Sequence, residues 1–418
     1  MAQLSDDCFA HGGRLMTTAE ALALLAEKTH RIAGREQVPL TQALGRILAE
    51  DVAAPFAVPD HDNSAVDGYA VWFDDLDPAA DTRLPVTGRA TAGHPLDRPA
   101  RRGEAVRIFT GATLPEGPDT VMMQEDCSRE QDTVVIAPGI KRGANRRLRG
   151  EDIRQGSVVL HQGGRLRPQD LGQAAAVGRQ DLSVSTPIKV ALFSTGDELR
   201  EPGEPLEPGC IYDSNRYTVN GLLGSLGCQV HDLGILRDQR PAIERALAQA
   251  AEDHDLIITS GGVSVGEEDH VKPAVEALGH IHAWRLAIKP GRPIALGQVG
   301  RVPFVGLPGN PVAVVVTFLT FVRPMILRLM GATELLPQRF RVLAGFDHKK
   351  KKDRREWIRA RLESDGEGGW RAVKFPREGA GILSSLVESD GLVELPEELT
   401  QLRAGSLVDF LPFSEVTS

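Results

Sequence analysis

The chain has 418 residues, 41% of them hydrophobic, and its 48 basic against 57 acidic residues leave a formal charge of -9. That length favours two to four domains with sizeable cores. The acidic balance argues against a general nucleic-acid or membrane-surface binder, so any anionic ligand must meet a local basic cluster.

Residues 1–13 read as a frayed extension with no basic and apolar leader pattern, so no signal peptide is expected. Thr17 and Glu20 have capping-box spacing, and Ala21, Leu22, Leu24 and Leu25 begin an apolar helical face that ends before Gly34. Leu40, Leu44, Ile47 and Leu48 predict a second short helix behind a Thr41 cap. From Ala53 the texture changes to short strands and turns, which predicts a β-rich insert over 53–150. A helix from about Pro168 to Val177 then returns to the layer of the second helix. This makes the linking domain discontinuous, 14–52 and 151–186, with packing of the first helix on the next domain left open.

From Ile188 strands and helices alternate: strand Lys189 to Phe193, helix Asn215 to Leu226, strand Gln229 to Leu236, helix Pro241 to Glu252, strand Leu256 to Ile258. That alternation predicts a parallel sheet in an α/β domain over 187–335. Ala295 to Gln298 and Val302 to Gly306 are further strand candidates before a helix starting near Pro311. Its apolar run, Val312 to Val322, is expected to stop at Arg323-Pro324 and to be a buried helix, too short for a membrane span. The tail, 336–418, reads as a separate small β-domain, in which K-K-K-K-D-R-R (Lys349 to Arg355) looks like a solvated hairpin. Cys8, Cys127, Cys210 and Cys228 are widely spaced, which suggests neither a zinc site nor a disulfide framework and points to a reducing cytoplasm.

In an open parallel sheet, ligands sit beyond the carboxyl ends of the strands. One strand there ends in S-G-G-V-S-V-G-E-E-D, Ser260 to Asp269. Ser260, Gly261, Gly262, Ser264 and Gly266 let backbone N–H groups approach an oxyanion where a Cβ would clash. Glu198, Asp238 and Asp269 follow three successive strands, and oxygen-only ligands suit Mg²⁺ shared with a phosphate. Helix capping is the alternative role for each acid. A-I-K-P-G-R-P sets Lys289 and Arg292 on a tight turn, and L-P-G-N-P offers Asn310 as a cap and Pro311 as a first helical residue. In the insert, D-N-S-A-V-D-G-Y-A (Asp62 to Ala70), Thr110 and the basic cluster Arg146 to Asp152 read from spacing alone as a hydrogen-bonded turn and a solvated face.

Together these segments resemble the molybdopterin molybdenumtransferase family, MoeA in bacteria and the E-domain of gephyrin in animals, over nearly the whole chain. The resemblance rests on D-N-S-A-V-D-G-Y-A, T-G-A-T-L-P-E-G, R-G-E-D-I, F-S-T-G-D-E-L, I-Y-D-S-N, S-G-G-V-S-V-G-E-E-D, K-P-G-R-P and G-L-P-G-N-P-V, in the family order. It implies a multidomain α/β plus β fold: a three-layer α/β domain of molybdopterin-binding type, a β-rich insert, an elongated linking domain and a C-terminal β-barrel.

It also implies a homodimer whose site lies between one subunit's α/β domain and the other's insert. The implied reaction takes adenylylated molybdopterin and molybdate, inserts the metal and releases AMP with Mg²⁺ present. By motif position Glu198, Asp238 and Asp269 serve the nucleotide and metal. Lys289, Arg292 and Arg285 hold phosphate or molybdate, Pro308 and Pro311 shape the pocket, and Asp67, Thr110 and Arg147 come from the partner. Neither nucleic acid nor membrane is implied; a molybdopterin adenylyltransferase is a natural protein partner.

The chain departs from the family at Arg292 and Arg285, where relatives carry lysine, and at Ala380, where a serine is expected. Two other readings are a molybdopterin adenylyltransferase or related nucleotide hydrolase, which would not need the insert, linking domain or barrel, and a non-enzymatic scaffold, which would not need the strand-end acids.

Overall fold

The capping box at Thr17 is formed: Glu20 N–H donates to Thr17 Oγ1 at 3.2 Å, and Thr17 N–H donates to Glu20 at 2.8 Å. It starts a helix, Thr18–Lys28, whose Ala21 and Leu25 join Val190, Ile326 and Met330 in one apolar cluster. The first helix therefore packs on the α/β domain. The structure, a computed structural model, describes residues 15–262 and 270–417.

The expected second helix does not form. Only a short 3-10 turn, Leu40–Gln42, occurs there, and Leu44 is 57% exposed. The strand Arg35–Pro39 pairs with Asp181–Ser185 on one side, Ile47 and Leu48 bridge to Arg165 and Val184 on the other, and Gly45 sits at φ +73° between them. Pairing on both flanks and a left-handed glycine outweigh the helical spacing. Val38, Leu48, Leu160, Leu166, Leu182 and Val184 form the linking core.

The chain enters the insert through Val52–Ala53 and leaves through Val158–Leu160, two segments paired antiparallel, with a further bridge from Val58 to Ile153. Between them a six-stranded sheet runs in the order Thr120–Met123, Gly68–Val71, Ala105–Ile108, Thr82–Ala90, Thr133–Ile136, Cys127–Glu130. It carries two small cores, one around Tyr69, Met122 and Ile136 and one around Ile108, Ala112 and Val121.

The α/β domain holds another six-stranded sheet: Gln229–Leu236, Lys189–Thr195, Leu256–Ser260, Val302–Leu307, Pro293–Val299, Gly279–Arg285. The first four are parallel as expected, but the last two pair antiparallel. The connection between Val299 and Val302 explains this, because it is a hairpin loop, far too short for a parallel crossover. Asn215–Ser225 and the helix from Pro311 cover one face; Arg240–Asp253 and Val271–Leu278 cover the other.

The apolar helix runs through Arg323-Pro324 to Met330, and 89% of its most apolar stretch is buried within the fold. Phe318–Val322 is a π-helical turn in which Arg323 N–H bonds Phe318 C=O. Pro324 thereby falls in the first positions of the next helical segment, where its missing N–H costs little.

In the tail, Phe340–Ala344, Arg355–Ser364, Trp370–Lys374, Gly391–Leu395 and Leu407–Pro412 close into a five-stranded barrel. One strand of its sheet comes from the α/β domain: Ile288–Lys289 pairs parallel with Arg355–Glu356.

Candidate functional site

At the carboxyl ends of Lys189–Thr195, Leu256–Ser260 and Val302–Leu307 lies a cleft of about 670 Å³. Gly261 and Gly262 form its floor at φ +87° and +65°. A Cβ on Gly261 would stand 2.8 Å from Thr195 C=O, and one on Gly262 would overlap the Val271 side chain and Thr195 Oγ1. Only glycine lets this backbone turn so close to the neighbouring strand.

Glu198 and Asp238 face the same cleft from the ends of two adjoining strands. Glu198 leads into the short strand Leu199–Arg200, so it caps no helix. Lys289 and Arg292 bring positive charge, and Pro308, Gly309 and Asn310 form the opposite rim. Among the described residues, the hydroxyls of Ser194, Thr195, Thr259 and Ser260 are buried without hydrogen-bond partners at the ends of two neighbouring strands. A polar group left in that state costs about 1–3 kcal/mol. A ligand that supplies bonds at Thr195, the one of the four lining the cleft, offsets part of the cost.

Not every expected residue lies on the cleft surface. Ser260 is buried behind it at 2% exposure, Pro311 opens the long helix without lining the cleft, and Arg285 pairs with Pro293 at the sheet edge, outside the lining. Asn310 precedes the helix but makes no side-chain cap. Ser264, Gly266 and Asp269 lie outside the described residues. Among the described residues no group of three or more His, Cys, Asp or Glu side chains is placed to hold a metal.

In the insert, Asp67 accepts hydrogen bonds from the Thr110 backbone N–H and hydroxyl, both at 2.8 Å. Those bonds hold its carboxyl below the usual aspartate range, helped by the nearby Arg107 charge. Asp62 accepts from Arg149 N–H at 2.8 Å, and exposed Arg147 sits in a two-residue strand opposite Asn63. The hydrogen-bonded turn read from spacing is thus present. Asp67, Thr110 and Arg147 form no part of the cleft lining in their own chain.

Sequence reasoning missed the contribution of the barrel. The run read as a solvated hairpin sends Arg354 into the cleft wall, buries Lys350 against the Glu397 and Leu399 carbonyls, and pairs Arg355 with Glu394 and Glu397. A second cavity of about 390 Å³ adjoins the cleft and shares Lys289, Pro290 and Ala380 with it. His348, Glu356, Arg359, Lys374 and Arg377 line it, and Arg359 Nε donates to Ser385 Oγ at 3.0 Å. Ala380 touches both spaces and uses its carbonyl to accept from Val312 N–H. The signal available in sequence was an acid, Glu356, directly after the basic run at a strand start.

Three family models match in succession: the MoeA N-terminal region (domain I and II) over residues 16–178, a probable molybdopterin binding domain over 191–328, and the MoeA C-terminal region (domain IV) over 341–413. The chain is 39% identical over 404 residues to the molybdopterin molybdenumtransferase of Haemophilus influenzae, covering 96% of this chain and 100% of that protein. It is 36% identical over 379 residues to molybdopterin molybdenumtransferase 2 of Mycobacterium tuberculosis, covering 88% and 93%. A crystal structure of the molybdopterin biosynthesis moeA protein from Pyrococcus horikoshii OT3 superposes with a TM-score of 0.83 at 30% identity, covering 95% of this chain and 99% of that one.

Proposed function

The chain belongs to the MoeA family of molybdopterin molybdenumtransferases and inserts molybdenum into molybdopterin, and from that premise we propose how its residues divide the work. The substrate is adenylylated molybdopterin, the second substrate is molybdate, and AMP leaves. The observation that carries this is the cation-lined cleft on a glycine floor: Lys289, Arg292 and Arg354 around Gly261 and Gly262 in a chain of net negative charge. Pyrophosphate and molybdate are oxyanions, and such a wall supplies the local positive charge they need in a chain of net negative charge.

Backbone N–H groups at the glycine floor and the Arg292 guanidinium orient the phosphates, and Lys289, at the mouth of both cavities, faces the oxyanion delivered from the smaller one. Negative charge that builds on the departing adenylate is met by cations already in place, which lowers the barrier without reorganisation. The hard oxygen donors of Glu198 and Asp238, beside the Thr195 hydroxyl, fit Mg²⁺, and Asp269 is assigned as a third acid by its motif alone. When bound, that ion would neutralise phosphate charge.

The site is shared by two chains. Asp67 and Thr110, already bonded to each other, form a polar corner, and neither they nor Arg147, paired with Asn63, line their own chain's cleft. A homodimer gives that corner a cleft to complete. The unpaired thiols of Cys127, Cys210 and Cys228 suit a reducing compartment, and we assign the protein to the cytoplasm.

The test incubates purified protein with adenylylated molybdopterin, Mg²⁺ and molybdate and follows AMP. Molybdate-dependent release that stops on chelation of Mg²⁺ is expected. Release that ignores molybdate would overturn the reading.

A further inference from the structure

The turn carrying Lys289 is held by the barrel. Ile288 pairs with Arg355 and Lys289 with Glu356 in a parallel ladder, and Arg355 N–H donates to Ala287 C=O at 2.9 Å. Opposed residues of such a pair project to the same side. Glu356 is accordingly 2% exposed, with its Oε2 3.6 Å from Lys289 Nζ, while the lysine side chain keeps 47% exposure at the junction of the two cavities.

The remaining capacity of that carboxylate is used on its own domain. His348 Nε2 lies 3.0 Å from Oε2, and Arg354 Nη2 donates to Oε1 at 3.0 Å. Behind His348, Lys374 Nζ stands 3.5 Å from Nδ1 and bonds Glu378 at 2.5 Å. Burial alone would raise the Glu356 carboxyl, but the His348 bond and the charges of Lys289 and Arg354 hold it below the usual glutamate range. Without it, the carboxylate left beside Lys289 in the cavity lining is the exposed Glu378, set against Arg354, Lys374 and Arg359.

We propose that Glu356, seated by His348 and Arg354, is the positioning residue for Lys289, so that the barrel sets where the oxyanion-facing ammonium stands. The proposal deepens the transferase reading, resting on Lys289 meeting an oxyanion. In this proposal Glu356 acts through Lys289.

A double-mutant cycle on the full-length protein tests it. Glu356→Gln lowers kcat/KM for molybdate-dependent AMP release about tenfold and has no further effect in a Lys289→Ala background. His348→Gln, which keeps a donor toward Glu356, gives a smaller loss of about threefold in the same coupled pattern. Equal losses in both backgrounds would overturn the proposal, as would wild-type activity in Glu356→Gln.

A readout that needs no turnover separates this from failure of the transferase reading. Brief acylation with acetic anhydride, read by mass spectrometry, should label Lys289 several times faster in Glu356→Gln than in wild type. The exposed Lys272 serves as the reference. Unchanged labelling of Lys289 in a variant that melts like wild type sinks the proposal even if the enzyme is active.

Discussion

The cleft between the α/β domain and the barrel and the polar corner of the insert solve opposite problems. The cleft is a built space: three strand ends, a glycine floor and cations from two domains surround about 670 Å³. The corner differs: Asp67 and Thr110 are locked to each other but line no part of that cleft in their own chain. A built cleft can select a ligand by itself, whereas preorganised groups outside it act only on something brought against them. On the proposed two-chain reading, the cleft is the receptacle and the corner is the lid.

The largest effect expected is on the receptacle. Lys289→Ala should lower kcat/KM by roughly 10²–10³, the loss typical of a charge-stabilising donor. Asp67→Asn should also be severely impaired, yet mixing the two inactive proteins under subunit exchange should restore about a quarter of wild-type activity, since half the dimers then carry one intact site of two. No recovery on mixing would break this division of labour between subunits.

Next comes Gly262→Ala. Its Cβ would collide with Val271 and Thr195, and φ +65° is strained for alanine, so activity should drop about tenfold with a stability loss of about 1–3 kcal/mol, read by thermal melting.

In the insert the effect of a buried charge is on stability instead. Glu104, 6% exposed, accepts from Arg98 and from Thr87 and from Arg101 N–H, and the Arg98 bond leads in pulling its carboxyl down to about 2. A depressed carboxyl contributes stability that is present above its unfolded value, near 4.5, and is lost as pH falls toward 2. Glu104→Gln should therefore cost the insert about 3 kcal/mol at pH 7, with the gap to wild type narrowing from pH 4.5 downward in urea titrations. The smallest effect belongs to Thr110→Val, which removes one of two bonds to Asp67 and leaves the backbone bond; a loss of about threefold in kcat/KM is expected.

The alternation after Ile188, the capping box at Thr17 and the glycine floor were all legible in sequence because each is a local pattern with a local cause. Lys289, Arg292, Glu198 and Asp238 could be placed at one edge because strand ends of a parallel sheet share an edge by topology. What was not legible depended on pairing across distance. Leu40 to Leu48 had helical spacing, but strands more than a hundred residues away held both flanks extended. Arg323-Pro324 looked like a stop until the π-turn before it absorbed the proline. The basic run looked solvated because nothing local announces that Arg354 and Glu356 meet the turn at Lys289, far back in the chain.

The neck of the insert carries a further consequence. Because Val52–Ala53 and Val158–Leu160 run side by side, some hundred residues depart and return through a single paired gate, and the two small cores beyond it draw on neither neighbouring domain. For folding, this long excursion is closed by one short ladder, so the host layer can assemble whether or not the excursion has yet folded, at a loop-closure cost that grows only with the logarithm of its length. For evolution, a part attached in this way can be lengthened, exchanged or retuned without disturbing the register of the domain that carries it.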